Sequence, residues 1–472
     1  MRKAFLSILG LLTAWGAFSQ DVLDNTRVDG YRSIWFELGQ PTEYGVKYSG
    51  GFATYTAKHS PLAIYAPAVD KTFFVYGGTT AEEETHLLCM AGCFDHKTGM
   101  VCKPTVVYDK RGVKDPHDNP AILLDGDGYV WVYVSGRSNK RLGRRYRSTE
   151  PYSIDAFEFM GESVMAYPQP RYVPGKGHFL FFTRYDGVRQ LFYQTSPDGV
   201  NWTDYRQIAS IKMPGDKNSG HYQIIGQRSD GLLASAFNRH LNGNVDTRTN
   251  IYYIQTADFG KTWTLADGTP VTLPITKRSD PSLILDAESE GLNVYIKDVN
   301  FDAQGRPVIL YVTGRGFNPG PKEGFREWHV AHWNGKKWEF HFITKSTHNY
   351  DTGSIWTDGD CWRVIAPTED GAFRWYAGGE IASWVSKDNG KHWKKERMYT
   401  ENSPRNHGYV RRVKDGRDPF ICLWSDSVPN KLSVCKMYFA DSKGNVWELP
   451  YEMKEDWEKP ELLTIFAGST EK

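Results

Sequence analysis

Three short stretches limit what this chain can fold into: Ser196-Pro-Asp198-Gly199-Val-Asn-Trp202, Thr256-Ala-Asp258-Phe-Gly260-Lys-Thr-Trp263 and Ser386-Lys-Asp388-Asn-Gly390-Lys-His-Trp393. The last two fit S/T-x-D-x-G-x-x-W in full, and the first is one residue shorter. Each packs a hydroxyl, a carboxylate, a glycine and an indole into eight residues or fewer. Such a segment braces its own turn between two strands: the carboxylate accepts from backbone amides, glycine supplies a left-handed dihedral, and tryptophan covers the result.

Trp202 and Trp263 stand about 60 residues apart, and Trp393 follows after about twice that interval, so the repeating unit is about 60–65 residues with one degenerate copy between. The pattern resembles the Asp box of sialidase-type β-propellers, where it is a structural turn. Weaker turns of related composition are Asp125-Gly-Asp-Gly128, Asp302-Ala-Gln-Gly305, Asn334-Gly335-Lys-Lys-Trp338 and Asp441-Ser-Lys-Gly444-Asn-Val-Trp447. They adjoin strand-like runs such as YVWVYVSG, PVILYVTG and HFLFFTRY. Aromatic content of 14% and 45 glycines suit short strands joined by tight turns. The expectation is an all-β, seven-bladed propeller of four-stranded antiparallel blades, a single domain over residues 21–472.

The 57 basic and 56 acidic residues give a formal net charge of +1, which argues against a broad nucleic-acid surface. Arg2 and Lys3 precede an apolar run from Ala4 to Phe18 and a small-residue stretch ending at Gln20. This reads as a secretory signal over residues 1–20, too short for a membrane span. The expected product is exported, to the periplasm or beyond, and monomeric, with no membrane span. Six cysteines are too few to scaffold the chain; Cys422 and Cys435 flank a turn that would let them pair. The spacing His86-x2-Cys89-x3-Cys93-x2-His96 suggests a metal, but strand geometry sends alternate side chains to opposite faces, so packing is the better reading. No metal or cofactor is expected.

Propeller ligands sit near the axis, on loops at one end of the inner strands. Polar clusters at strand edges are therefore the candidates. Asp115-Pro-His117-Asp118-Asn119-Pro120 holds His117 at a strand start. Ser219-Gly-His221-Tyr222-Gln223, Asn238-Arg239-His240 and Arg248-Thr-Asn250 gather donors and imidazoles within about 30 residues. Later candidates are Thr347-His348-Asn349-Tyr350-Asp351, with Glu369 and Glu380, and Asn406-His407-Gly-Tyr409-Val-Arg411-Arg412. Lys58-His59-Ser60-Pro61 stands before another strand.

At these residues a narrower resemblance emerges. KTFFVYGG, HDNPAILLDGDGYVWVYVSG, YPQPRY, HYQ, AFNRH, RTNIYYIQT, HNYDTGS and GGEIASW are similar to secreted Bacteroidetes-type propellers with neuraminidase-like repeats. That superfamily includes ulvan lyases, rhamnose–glucuronate lyases and α-L-rhamnosidases acting on rhamnose linked to glucuronic acid. The resemblance implies an acidic oligo- or polysaccharide partner containing rhamnose and glucuronic acid.

A uronate lyase must neutralise a carboxylate, remove the C5 proton and protonate the leaving oxygen, work for Arg, His and Tyr. The lyases imply a second histidine after His117, but this chain has Ser135-Gly136-Arg137. A conventional glycosidase needs two carboxyl groups, for which Asp351, Glu369 and Glu380 are available. The rhamnosidases of this group rely instead on a histidine away from the axis, for which His59 is the match. The sialidase F/Y-R-I-P motif is missing. The reading placed first is an exo-acting α-L-rhamnosidase, with polysaccharide lyase as the alternative and a non-catalytic glycan-binding propeller as a third. Expected catalytic residues are His59, His117 and His221. Expected substrate contacts are Arg137, Tyr185, Tyr222, Arg239, His240, Arg248, Asn349 and Arg411.

Overall fold

The computed structural model describes residues 23–463, apart from 38–40, 47–48, 53–57, 80–86, 111–114, 116, 118, 187, 358, 360 and 430–432. The segment read as a secretory signal lies outside the described residues, as does His86. The described residues form strands joined by turns, with two single-turn 3-10 helices, Leu241–Gly243 and Pro321–Glu323.

The unit of the fold is an antiparallel meander of sequential strands. Pro120–Leu124, Val130–Val134, Gly143–Ser148 and Phe157–Ser163 form one four-stranded sheet, and the stretches from Ala166, Asn293 and Ser354 form three more. The meander beginning at Gln223–Gln227 has six strands because short pairings extend its outer edge. A fourteen-stranded sheet joins the first and last parts of the chain. Within it Ser33–Glu37 pairs with Ser433–Cys435 and with Gly78, while Trp457–Glu458 pairs with Met100–Cys102. This succession of meanders is the pattern a propeller requires, and apolar faces of neighbouring sheets pack on one another. Ile251, Tyr253, Ile309 and Tyr311, for instance, share one buried cluster.

All three Asp boxes join the third and fourth strands of their sheets. In the last, Ser386 Oγ accepts from Gly390 N–H at 2.9 Å and donates to Asp388 at 2.8 Å, and Asp388 accepts from His392 N–H at 3.0 Å. Gly390 has φ +83°, and the Trp393 indole donates to its carbonyl at 2.8 Å. The first box repeats this pattern. In the second, the Trp263 indole turns to Tyr193 Oη instead. The weaker turns are of two kinds: Asp125-Gly128 and Asp302-Gly305 join first to second strands, whereas Asn334-Lys337 and Asp441-Gly444 join third to fourth.

Among the described residues no disulfide joins any of the cysteines. Cys422 and Cys435 do not form the expected bridge, because Cys422 lies opposite Ala440 while Cys435 lies opposite Ser33. Cys89 and Cys93 lie on the strand Leu88–Asp95, and His96 directs Nε2 to Thr72 Oγ1 at 2.8 Å.

Ser386 is fully buried, so Ser386→Ala leaves the Gly390 N–H without its acceptor. The expected loss is about 1–3 kcal/mol of stability, read as a lower urea midpoint at unchanged slope.

Candidate functional site

Because each sheet is a meander, the start of every inner strand, the end of the second and the start of the third reach the same end of the molecule. Lys58 and His59 precede Ala63–Ala66, His117 precedes Pro120–Leu124, Tyr167 is near the start of Ala166–Val173, and Tyr222 precedes Gln223–Gln227. Arg137 follows Val130–Val134, while Tyr185 and Arg189 face each other across one hairpin. His240 and Arg248 flank the next hairpin.

At this end three phenols form a chain. Tyr185 donates to Tyr167 Oη at 3.1 Å, and Tyr167 Oη lies 3.3 Å from Tyr222 Oη. Tyr167 is buried at φ +50°, a backbone region that bulky residues seldom occupy, and its N–H donates to Ser135 Oγ at 3.0 Å. Its ring centre lies 5.4 Å from both His117 and His59.

Cations surround these phenols. The Arg137 and Arg189 guanidiniums lie 5.7 and 5.6 Å from the Tyr185 ring centre. Lys58 and Arg248 lie 5.1 and 5.0 Å from that of Tyr222. Burial, and then the charges of Arg248, Lys297 and Arg411, hold the Lys58 ammonium well below the usual lysine range. Burial pushes the Tyr185 phenol up, and Tyr222 adds to that.

Asp115 organises one flank. It accepts from Arg137 at 2.7 Å and Arg141 at 2.5 Å, and binds both the backbone N–H and Nδ1 of His117. Burial works against this carboxylate, but the His117 bonds and the neighbouring charges win and hold it well below the usual range. Fixing the proton on Nδ1 puts the imidazole lone pair on Nε2. The arrangement can hold an anion between arginines and exchange protons with it through an imidazole and phenols.

The structure thus brings together His117, Arg137, Tyr185, Tyr222, His240 and Arg248 from among the expected residues. His240 is buried with its ring centre 4.9 Å from that of Tyr222, and neither ring nitrogen has a hydrogen-bond partner among the described residues. Arg248 donates to Tyr350 Oη at 2.6 Å and bridges towards Tyr295, whose ring centre is 4.5 Å away.

Other expected residues are engaged within the protein. His59 is fully buried and directs Nε2 to the His117 carbonyl at 3.0 Å, so it supports the His117 loop from beneath. His221 has both nitrogens engaged by backbone: Nδ1 donates to the Asn238 carbonyl at 2.9 Å and Nε2 accepts from Ile211 N–H at 3.1 Å. Arg239 pairs with Asp216 at 2.6 Å and Glu288 at 2.8 Å. These pairings oppose a role in substrate contact. Asn349 uses its amide on Tyr295 and Arg326 and its carbonyl on Lys297. Arg411 lines a cavity at the other end of the inner strands.

Of the carboxylates offered for a glycosidase, Glu380 accepts from the Ser403 amide through one oxygen, and the other two are engaged as well. Asp351 is buried and accepts from the His348 and Gly378 amides, and Glu369 accepts from Lys395. Sequence reasoning missed Arg141 and Arg189 and gave no role to Asp115 or Tyr167. Tyr185-Asp-Gly-Val-Arg189 carried a signal, since a three-residue turn containing glycine sets its flanking residues opposite one another.

Burial lowers His221 to about 4, His178 to about 4 and His59 to about 3. Their folded values lie below the unfolded one, so the stability they contribute is complete above about pH 6.5 and falls as pH drops towards those values. In denaturant unfolding at a series of pH values, His221→Gln should flatten this decline. An unchanged slope would contradict a neutral, backbone-bound His221.

Residues 72–346 match the model of a family described as BNR repeat-containing family member. Along nearly its whole length the chain is similar to an ulvan lyase of Pseudoalteromonas sp. (strain PLSV), at 21% identity over 96% of both chains. An ulvan lyase of Nonlabens ulvanivorans is 23% identical over 63% of this chain and 67% of its own. Among solved structures, a PL25 ulvan lyase superposes with a TM-score of 0.68 at 16% identity, covering 88% of this chain and 96% of that one; a second structure of that lyase is described as bound to -[GlcA(1-4)Rha3S]-. With more than half of its length matched by the family model, the chain belongs to the BNR repeat-containing family.

Proposed function

We propose that this protein is a polysaccharide lyase that cleaves a chain containing rhamnose and glucuronic acid by β-elimination at the Tyr167 cluster. The observation that carries the reading is the phenol chain Tyr185–Tyr167–Tyr222 set among cations and beside the Asp115-oriented His117. Arg137 and Arg189, either side of Tyr185, are suited to hold the uronate carboxylate and so acidify its C5 proton. His117 Nε2 takes that proton. Tyr185 turns its O–H from Tyr167 to the departing O4 and donates that proton, to be reprotonated from solvent once the product leaves. The C4–O4 bond breaks as the C4–C5 double bond forms.

The names of the curated relatives favour elimination over the rhamnosidase reading placed first on sequence grounds. The buried, carbonyl-bound His59 also weakens that reading. Arg137, standing where the resemblance implied a histidine, bonds Asp115 and so belongs with carboxylate binding rather than proton abstraction. For the scaffold we take seven blades. The fourteen-stranded sheet divides naturally into two meanders, because Ile64 and Lys414 form the one registered pair between Ala63–Ala66 and Asn406–Arg417. Export is inferred from residues 1–20, and no described helix is long and apolar enough to cross a membrane.

Incubation with ulvan and with rhamnose-capped glucuronate oligosaccharides separates the readings. Elimination gives the ultraviolet absorbance of an unsaturated uronate without free rhamnose. His117→Ala and Tyr185→Phe should each lower kcat by about 10²-fold or more, while Arg137→Ala should act mainly on KM. Free rhamnose without ultraviolet absorbance would restore the hydrolase reading. Binding without either product would leave a glycan-binding propeller.

A further inference from the structure

The inner strands finish around a cavity of 760 Å³, at the end opposite the Tyr167 cluster. Its size falls within the range of about 300–1,000 Å³ that small-ligand sites occupy. Its walls include Arg171, Arg411 and Arg412, with Asp298 beside them.

The charge balance of these walls is unusual. Arg171 and Arg411 are only 6% and 4% exposed. Arg171 donates to the carbonyls of Ser60 and Pro170 at 2.8 Å each and of Ile225 at 2.7 Å, and Arg411 makes one long bond to the Lys297 carbonyl at 3.4 Å. Carbonyls solvate a guanidinium without neutralising it. Asp298 is shared: Arg412 approaches it at 3.3 Å, and its oxygens also accept from the Val299 and Ile355 amides. Asp298 is the lining carboxylate that acts on these guanidiniums, since Asp302 is taken by Arg306 and His332 and Asp415 by Lys414. Burial and then the Arg412 charge lower Arg171 to about 9, the direction expected where positive charge is under-compensated. Half-buried Tyr65, Tyr172 and Trp356 supply ring surface around the same space.

We propose that this cavity is a second binding site, for a sugar residue bearing an oxyanion, either a uronate carboxylate or a sulfate ester. The guanidiniums take the anion by charge-assisted hydrogen bonds and the aromatic rings pack on the sugar. Apart from Ser60 and Pro61, most of its lining comes from the strand ends opposite the Tyr167 cluster, so it does not depend on the lyase reading.

Calorimetry on the full chain, with sodium glucuronate and with inorganic sulfate as separate probes at fixed ionic strength, tests this. At least one probe should bind the Arg137→Ala variant, and Arg412→Glu should weaken that binding by about tenfold or more. The probe that binds tells carboxylate from sulfate. If Arg412→Glu does not fold, Lys414→Glu at the same cavity carries the expectation, with a loss of about threefold. Binding unaffected by the cavity variant, or no binding of either probe to Arg137→Ala, overturns the proposal. Because unsaturated product is measured separately, that result leaves the lyase reading standing, and a failed lyase assay leaves the cavity test intact.

Discussion

Everything at the functional end follows from one constraint of strand pairing. In an antiparallel meander the second strand must finish where the first began, so a loop before an inner strand and the hairpin between the next two are held side by side. Repeated from sheet to sheet, this brings residues far apart in sequence to one small area. Tyr167 and Tyr222 are 55 positions apart and meet through their hydroxyls. Tyr185 and Arg189 join them from a hairpin tip. The sheets supply rigidity, and the loops supply the chemistry.

The same geometry concentrates positive charge along the middle of the molecule, where water is scarce. Lys58, Arg171, Arg248, Lys297, Arg326 and Arg411 are all nearly fully buried. Backbone carbonyls accept from several of them, as at Arg326, which donates to the carbonyls of Asn318, Glu323 and Gly324. A buried cation held by dipoles alone is costly. Tyrosine faces offset part of that cost around Arg248. Asp351 near Lys297, Glu323 beside Arg326 and Asp298 near Arg171 supply part of the countercharge.

The parts legible in the sequence are those whose interactions are local. An Asp box closes on itself within four residues, so Ser386, Asp388, Gly390 and Trp393 identify it without any knowledge of partners. Histidine and arginine at strand edges are another matter. His117 and His221 look alike in sequence, each in a polar loop before a strand. Their difference lies in partners: Asp115 orients the first, while the Asn238 carbonyl and the Ile211 amide occupy the second. Arg239 looked free because Glu288, 49 positions away, gives no sign of reaching it. The tyrosine chain was hidden for the same reason, and because buried aromatics most often signal packing.

The pairing of Trp457–Glu458 with Met100–Cys102, together with that of Ser33–Glu37 with Ser433–Cys435, bears on how the chain comes to be folded. The first meander takes an outer strand from residues some 355 positions further along the chain. It therefore cannot be completed until those residues have emerged, however early its own appear. Ring closure becomes a single late event of high sequence separation, the kind of step that makes β-rich proteins slow to fold. Until that event the first sheet carries an unsealed edge.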